Sequence, residues 1–187
     1  MKKILVIFTI SIMMVSCQSK DTTIAIDKVG PITNKTSIKD LKNIFKNDSI
    51  VSRLTEGDFG NINEYVSAND TYLVYEKGGA LLLSISPINP LDSISKIKSI
   101  TVFSGAYKTT GSVGITSTFN DLNVNHNIDK IEATFSSVTV FVKDINATFT
   151  INKEEVGIKP FTLGDVDKVQ IPEGSKFTSF TVWLNDK

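Results

Sequence analysis

The chain has 187 residues, in which 20 lysines and arginines balance 20 aspartates and glutamates, with one histidine and one cysteine. A near-neutral charge without a basic stripe gives no electrostatic footprint for nucleic acid. A lone cysteine excludes a disulfide within the chain, so the fold rests on packing, for which 41% hydrophobic residues supply the material.

Met1–Cys17, MKKILVIFTISIMMVSC, opens on Lys2 and Lys3, continues through an apolar block from Ile4 to Val15, and stops at Ser16-Cys17. A positive n-region, an apolar h-region and a small residue before a cleavage point form an export signal. The block is shorter than the roughly 20 residues that a spanning helix needs. Met14-Val15-Ser16-Cys17 resembles the lipobox of bacterial lipoproteins, with Met14 where leucine is more usual. The resemblance implies diacylglyceryl (palmitate-type) lipidation of Cys17 and removal of residues 1–16. Several acyl chains, at about 0.8 kcal/mol for each buried CH₂, make such an anchor stable. The expected location is the outer membrane facing the periplasm, with the cell surface as the alternative, because only Lys20-Asp21 follows the cysteine closely.

Residues 17–28 read as the lipidated cysteine and a tether, and 29–187 as a single α+β domain, mainly antiparallel sheet with two short helices. Val29-Gly30-Pro31-Ile32 is a turn or strand entry. Ser37–Lys46 reads as a helix, with Thr36 as N-cap and Ile38, Leu41, Ile44 and Phe45 on one face. Strands follow at Ile50–Leu54, Thr71–Glu76, Ala80–Ser86 and Ile97–Ser104. A loop is expected over Thr55–Asn63, a hairpin turn at Lys77-Gly78-Gly79, and a proline-bearing loop over Pro87–Asp92. A second helix of one or two turns begins near Ser117-Thr118, weakened by Asn120, Asn123, Asn125 and Asn127. Ile131–Phe135, Val138–Lys143, Ala147–Asn152 and Phe177–Leu184 are strands with alternating patterns. Lys153–Lys168 is looser, and Pro172-Glu173-Gly174 is a turn.

Thr36-Ser37-Ile38-Lys39-Asp40-Leu41 and Ser117-Thr118-Phe119-Asn120-Asp121-Leu122 share a pattern of two hydroxyls, an apolar residue, a polar one, aspartate and leucine. Each precedes a strand-rich block, so a degenerate tandem helix–sheet repeat is expected, with halves 29–104 and 105–187. Thr109–Leu122 resembles a turn-plus-helix motif of uncharacterised bacterial envelope lipoproteins. The duplication is similar to the β-lactamase inhibitory protein and to BamE/SmpA-like lipoproteins, which implies a binding or scaffold role without a catalytic site.

The search for chemistry returns little. His126 alone cannot build a His/Cys zinc site with the sole cysteine lipidated. A Ser-His-Asp triad lacks its Gly-x-Ser-x-Gly elbow, so His126 reads as a solvated or capping residue. Asp58-Phe59-Gly60 has no kinase context, and Gly111-Ser112-Val113-Gly114 lacks the lysine of a phosphate loop. Asp165-x-Asp167 offers too few oxygens for a calcium loop, and Glu154-Glu155 reads as exposed turn charge. No catalytic residue, metal or cofactor is expected. Asp48-Ser49-Ile50 and Asp92-Ser93-Ile94 are similar to the Asp-Ser/Thr-apolar sites that Bacteroidota O-glycosylate on exported proteins, which makes Ser49 and Ser93 candidate glycosylation sites. The expected role is a membrane-anchored, non-catalytic protein-binding or envelope-maintenance module, with the membrane and an envelope protein as partners. Two alternatives stand beside it. One is a sugar or peptide binder using Tyr65, Tyr72, Tyr75, Phe103, Tyr107 and Trp183; the other is a hydrolase using paired carboxylates.

Overall fold

A computed structural model describes residues 20–53, 71–90, 92–159 and 161–184. The signal, Cys17, the Thr55–Asn63 loop and Tyr65 lie outside the described residues. Three short strands open the chain: β1 (Thr23–Ala25), β2 (Lys28–Val29) and β3 (Ile32–Thr33). A 3-10 turn, Ile38–Asp40, leads into α1 (Leu41–Ile44), followed by β4 (Ser49–Arg53), β5 (Thr71–Tyr75), β6 (Leu81–Pro87) and β7 (Ile97–Val102). Then come β8 (Lys108–Thr109), α2 (Phe119–Asn125), β9 (Ile128–Ala133), β10 (Ser137–Val142), β11 (Ala147–Asn152), β12 (Gly164–Asp165) and β13 (Phe177–Trp183). The fold is α+β, mostly antiparallel sheet with two short helices.

Nine strands form one sheet in the order β12-β9-β10-β11-β13-β7-β6-β5-β4, and β3-β2-β1-β8 form a small second one. The strand expectations hold to within a few residues, because alternation over five to seven residues is a strong signal. Three details differ. The first helix is one 3-10 turn and one α-turn rather than ten residues, since Phe45 leaves helical geometry at φ −105°, ψ 38°. Its N-cap is Ser37, while the Thr36 hydroxyl instead accepts the Thr33 N–H at 3.0 Å. The tether expected over 17–28 is shorter than that, because Thr23 already pairs with Lys108 and Ala25 with Lys28.

The inner face of the large sheet carries Val74, Leu83, Ile85, Ile100, Val102, Val138, Val140, Phe149, Ile151, Phe180 and Val182, all buried. Against it pack Leu41 and Phe45 of the first helical segment, Phe119 and Leu122 of α2, and Ile24, Val29, Ile32 and Tyr107 of the small-sheet region. Phe149 stacks on Phe180 with ring centroids 4.1 Å apart and tilts against Phe177 at 4.6 Å. Offset aromatic contacts of this kind add to simple area burial.

The two halves of the chain repeat a set of hydrogen bonds. Asp40 Oδ2 accepts the Ser37 N–H at 2.9 Å, and Asp121 Oδ2 accepts the Thr118 N–H at 2.8 Å, each closing a capping box. Ile38 N–H donates to Ser95 O, as Phe119 N–H does to Ser175 O; Lys39 N–H donates to Ser93 O, as Asn120 N–H does to Glu173 O. Bridges join Ser37 to Lys96 and Thr118 to Lys176. Before each helix, Thr33 N–H donates to the Thr36 hydroxyl and Gly114 N–H to that of Ser117. The final strands agree in sequence as well. Ser95–Phe103 (SKIKSITVF) and Ser175–Trp183 (SKFTSFTVW) share Ser, Lys, Ser, Thr and Val at matching positions.

Each half is thus a helical segment followed by a four-stranded antiparallel sheet, and the halves join through β13 and β7. In that join Thr181 lies directly opposite Thr101, and the hydroxyls of these two equivalent residues sit 3.1 Å apart. A pseudo-twofold axis therefore passes between them, through the plane of the sheet. The expected tandem repeat is a geometric feature of the fold.

Candidate binding face

Because side chains alternate along a strand, register decides which residues share the face away from the helices. One row crosses eight strands: Lys130, Phe141, Thr148, Thr181, Thr101, Ser84, Leu73 and Val51. Among the described residues no helix or second sheet lies over this face, and the members of the row other than Leu73 are half-buried or exposed. The middle of the row is all hydroxyl.

On either side of that belt the two halves differ in chemistry. Toward β4, Val51 (47% exposed) and Phe103 (49% exposed) flank Leu73 and Leu82, both buried although they share the outer face. With half-buried Tyr75 this makes a contiguous apolar patch. Toward β9, Phe141 and Trp183 line a hollow of about 390 Å³ together with Asp129, Lys143, Asn146 and Thr148. A register shift at Phe141/Val142 places Asp129 as an extra residue between Ile128 and Lys130, and such a bulge re-aims a side chain. Asn146 Nδ2 donates to Trp183 O at 2.9 Å, which fixes the amide. The Lys130 ammonium sits 4.6 Å from the Phe141 ring centroid and is bonded to Glu132, whose hydrogen bond raises its pKa.

His126 departs from expectation. It does cap α2, donating its N–H to Leu122 O, but its side chain is only 3% exposed and not solvated. Nδ1 lies 2.8 Å from Asp144 Oδ2, and Nε2 lies 2.7 Å from Thr109 Oγ1. In the neutral ring with its proton on Nδ1, Nδ1–H donates to Asp144 and the Thr109 hydroxyl donates to Nε2. The connectivity is that of an acid–imidazole–hydroxyl triad, yet Thr109 is buried and its oxygen also accepts the Val113 N–H at 3.1 Å. The Gly111 backbone presses on the ring: a Cβ there would lie 3.0 Å from Nε2. A substrate has no approach to this hydroxyl. The three side chains tie the β8 turn, the end of α2 and the β10–β11 hairpin together.

The aromatic residues proposed for one groove are dispersed. Tyr107 is core, Tyr72 lines a separate inner-side hollow of about 360 Å³ beside Ile38, Leu41 and Ile50, and Tyr75, Phe103 and Trp183 share the open face. Ser49 opens edge strand β4 and Ser93 lies in the β6–β7 connection, both exposed. The Asp48 carboxylate, with its side chain 7% exposed, is paired with Lys20 at 2.6 Å. No group of three metal-ligating side chains occurs among the described residues. The hollow around Asp129 was not anticipated, because its residues meet only through register and a bulge.

Fold and face together define a duplicated helix-on-sheet module with one sheet face left open among the described residues. No protein-family model matches the chain, and no curated protein does. Among solved structures it is similar to the uncharacterized protein yfeY from Escherichia coli, with a TM-score of 0.55 and 14% identity over 87% of this chain and 99% of that one. The likeness concerns the fold alone.

Proposed function

We propose that this protein is a lipid-anchored, non-catalytic envelope module that binds another envelope protein through the open sheet face. The observation that carries the reading is the pair of exposed apolar side chains Val51 and Phe103 on one half of that face, set beside half-buried Tyr75 over buried Leu73 and Leu82. Contiguous exposed apolar surface of this kind is characteristic of protein contact sites. The lipobox Met14-Val15-Ser16-Cys17 supports anchoring, and no helix among the described residues is long and apolar enough to cross a membrane.

Two measurements test the parts separately. Labelled palmitate is incorporated into the native chain and lost in Cys17→Ser if the anchor reading holds; equal labelling of both sinks it. A photo-crosslinker at Phe103 captures one abundant envelope protein in cells, while the same probe at Val124, exposed on α2, does not. Equal capture at both positions, or none at Phe103, overturns the binding face.

A further inference from the structure

The hollow on the opposite half of the open face has a composition that a protein-contact patch does not need. Phe141 of β10 and Trp183 of β13 stand on either side of Thr148 of β11, two strand spacings or about 10 Å apart. Asp129, Asn146 and Lys143 complete the polar lining. We infer that this hollow is a saccharide-binding site, in which Phe141 and Trp183 pack against the C–H faces of sugar rings while Asp129, Asn146 and Lys143 bond their hydroxyls.

The ligand class follows from what the walls offer and what they would reject. Asp129 accepts, Lys143 donates, and Thr148 does both. Asn146 has committed Nδ2 to Trp183 O, so its Oδ1 is turned to use as an acceptor. The formal charges of Asp129 and Lys143 cancel, so neither an anion nor a cation is selected. An apolar anchor from a protein would cover both charged groups without pairing them, which is costly. A neutral polyol meets both signs at once, since each hydroxyl donates and accepts. Its C–H edges carry the slight positive charge that an aromatic face attracts. At about 390 Å³ the space is at the small end of ligand sites, suited to one or two sugar units with the rest of a chain running over the open face. The bulge at Asp129 supplies the reason for that irregularity: in a regular ladder its carboxylate would point to the helix side.

The chain contains a single tryptophan, Trp183, so its intrinsic fluorescence reads this hollow directly. Full-length lipidated protein in a detergent without a sugar headgroup is titrated with maltotetraose, cellotetraose, mannotetraose and chitotetraose. The expected result is a saturable change with at least one probe, with Kd of about 1 mM or tighter. Binding weakens about tenfold or more in Asp129→Ala and in Phe141→Ala, and is unchanged in Phe103→Ala on the other half. Saturation transfer from protein to sugar protons provides a second readout that does not depend on the indole. Unfolding curves of each variant check that the fold persists; if Asp129→Ala is unfolded, Asp129→Asn takes its place. Absence of a saturable signal in both readouts for all four probes up to about 10 mM overturns the proposal, as does binding that survives both hollow substitutions.

Discussion

Replacing His126 by alanine separates a structural latch from a catalytic relay. The substitution removes two hydrogen bonds and the imidazole itself. The bond to Asp144, whose side chain is 43% exposed, contributes about 0.5–1 kcal/mol after solvent screening. The bond to buried Thr109 contributes about 1 kcal/mol, and the space vacated by the ring roughly another 1 kcal/mol. The expected loss is about 2–3 kcal/mol, or on the order of 5–10 °C in Tm for a chain of this size. Urea unfolding near neutral pH, followed by far-ultraviolet circular dichroism and by Trp183 fluorescence, measures it. Asp144→Asn costs less, about 0.5–1 kcal/mol, because only the exposed end of the latch is weakened. Thr109→Ser retains the hydroxyl and stays within about 1 kcal/mol of native. The reasoning fails if His126→Ala lies within about 0.5 kcal/mol of native, or if Asp144→Asn is equally damaging.

Four further outcomes follow from the same geometry. Thr118→Ala and Ser37→Ala each cost about 1 kcal/mol by urea unfolding, since each removes the N-cap hydroxyl of a capping box. The Ser37 and Thr118 hydrogen bonds hold the carboxyls of Asp40 and Asp121 below the usual aspartate value near 3.8. Their contribution is therefore complete above the unfolded pKa near 3.8 and is lost as pH falls through the folded values, so an Asp40→Asn/Asp121→Asn double variant has a flatter acid limb in its stability profile. Lys153 is 3% exposed and its Nζ donates to Thr134 O and Thr162 O. Lys153→Met leaves both carbonyls without that donor, costs about 1–3 kcal/mol, and raises hydrogen exchange near Phe135 and Phe161, the exposed ring pair it holds together. Tyr107 is pushed up to about 12, first by burial and then by Asp48 and Asp21. Its raised folded pKa means stability falls as pH climbs from about 10 toward 12. Tyr107→Phe abolishes that alkaline loss, and because the hydroxyl has no protein partner among the described residues, it is neutral or slightly stabilising at neutral pH.

The nine-stranded sheet was largely legible because its central strands bury one face, and alternation such as Ala147, Phe149, Ile151 against Thr148, Thr150 states that directly. The small sheet was not. Its strands are two or three residues long, too short to carry a period, and they exist through tertiary pairing. The first helix was read too long because Ile38, Leu41, Ile44 and Phe45 keep a helical spacing that the backbone abandons after Ile44. The repeat was visible at the two capping boxes, but its stronger signal, SKIKSITVF against SKFTSFTVW, is a spacing of strand ends that only the bridges Ser37–Lys96 and Thr118–Lys176 make meaningful. His126 gave no sign of burial, since its partners lie 17 and 18 positions away on either side. The hollow joins Asp129, Phe141 and Trp183 of three strands with Asn146 of the β10–β11 turn, and a one-residue error in any register would have scattered them.

The pseudo-twofold makes the open face its own control. The axis carries Trp183 onto Phe103, Phe141 onto Leu73, Asn146 onto Leu82, Lys143 onto Tyr75 and Lys130 onto Val51. On the inner face the same operation carries Phe180 onto Ile100, Val182 onto Val102 and Phe149 onto Ile85, all fully or almost fully buried. Inner positions remain apolar in both halves, because each must fill the space beneath a helical segment at interior density. At the outer positions the halves diverge from amide, ammonium and indole to leucine, tyrosine and phenylalanine, with Leu73 and Leu82 buried and Phe103 exposed. A scaffold role alone needs neither pattern on a solvated face, where hydroxyls like those of Thr101 and Thr181 suffice. The divergence fits the two ligands proposed above, a protein surface on the apolar half and a sugar in the polar-walled aromatic hollow. Exchanging one pair, Phe103→Trp with Trp183→Phe, moves the fluorescent reporter to the apolar half. Partner binding then alters the signal and oligosaccharide binding no longer does, while a sugar response that follows the tryptophan would contradict the assignment of the two halves.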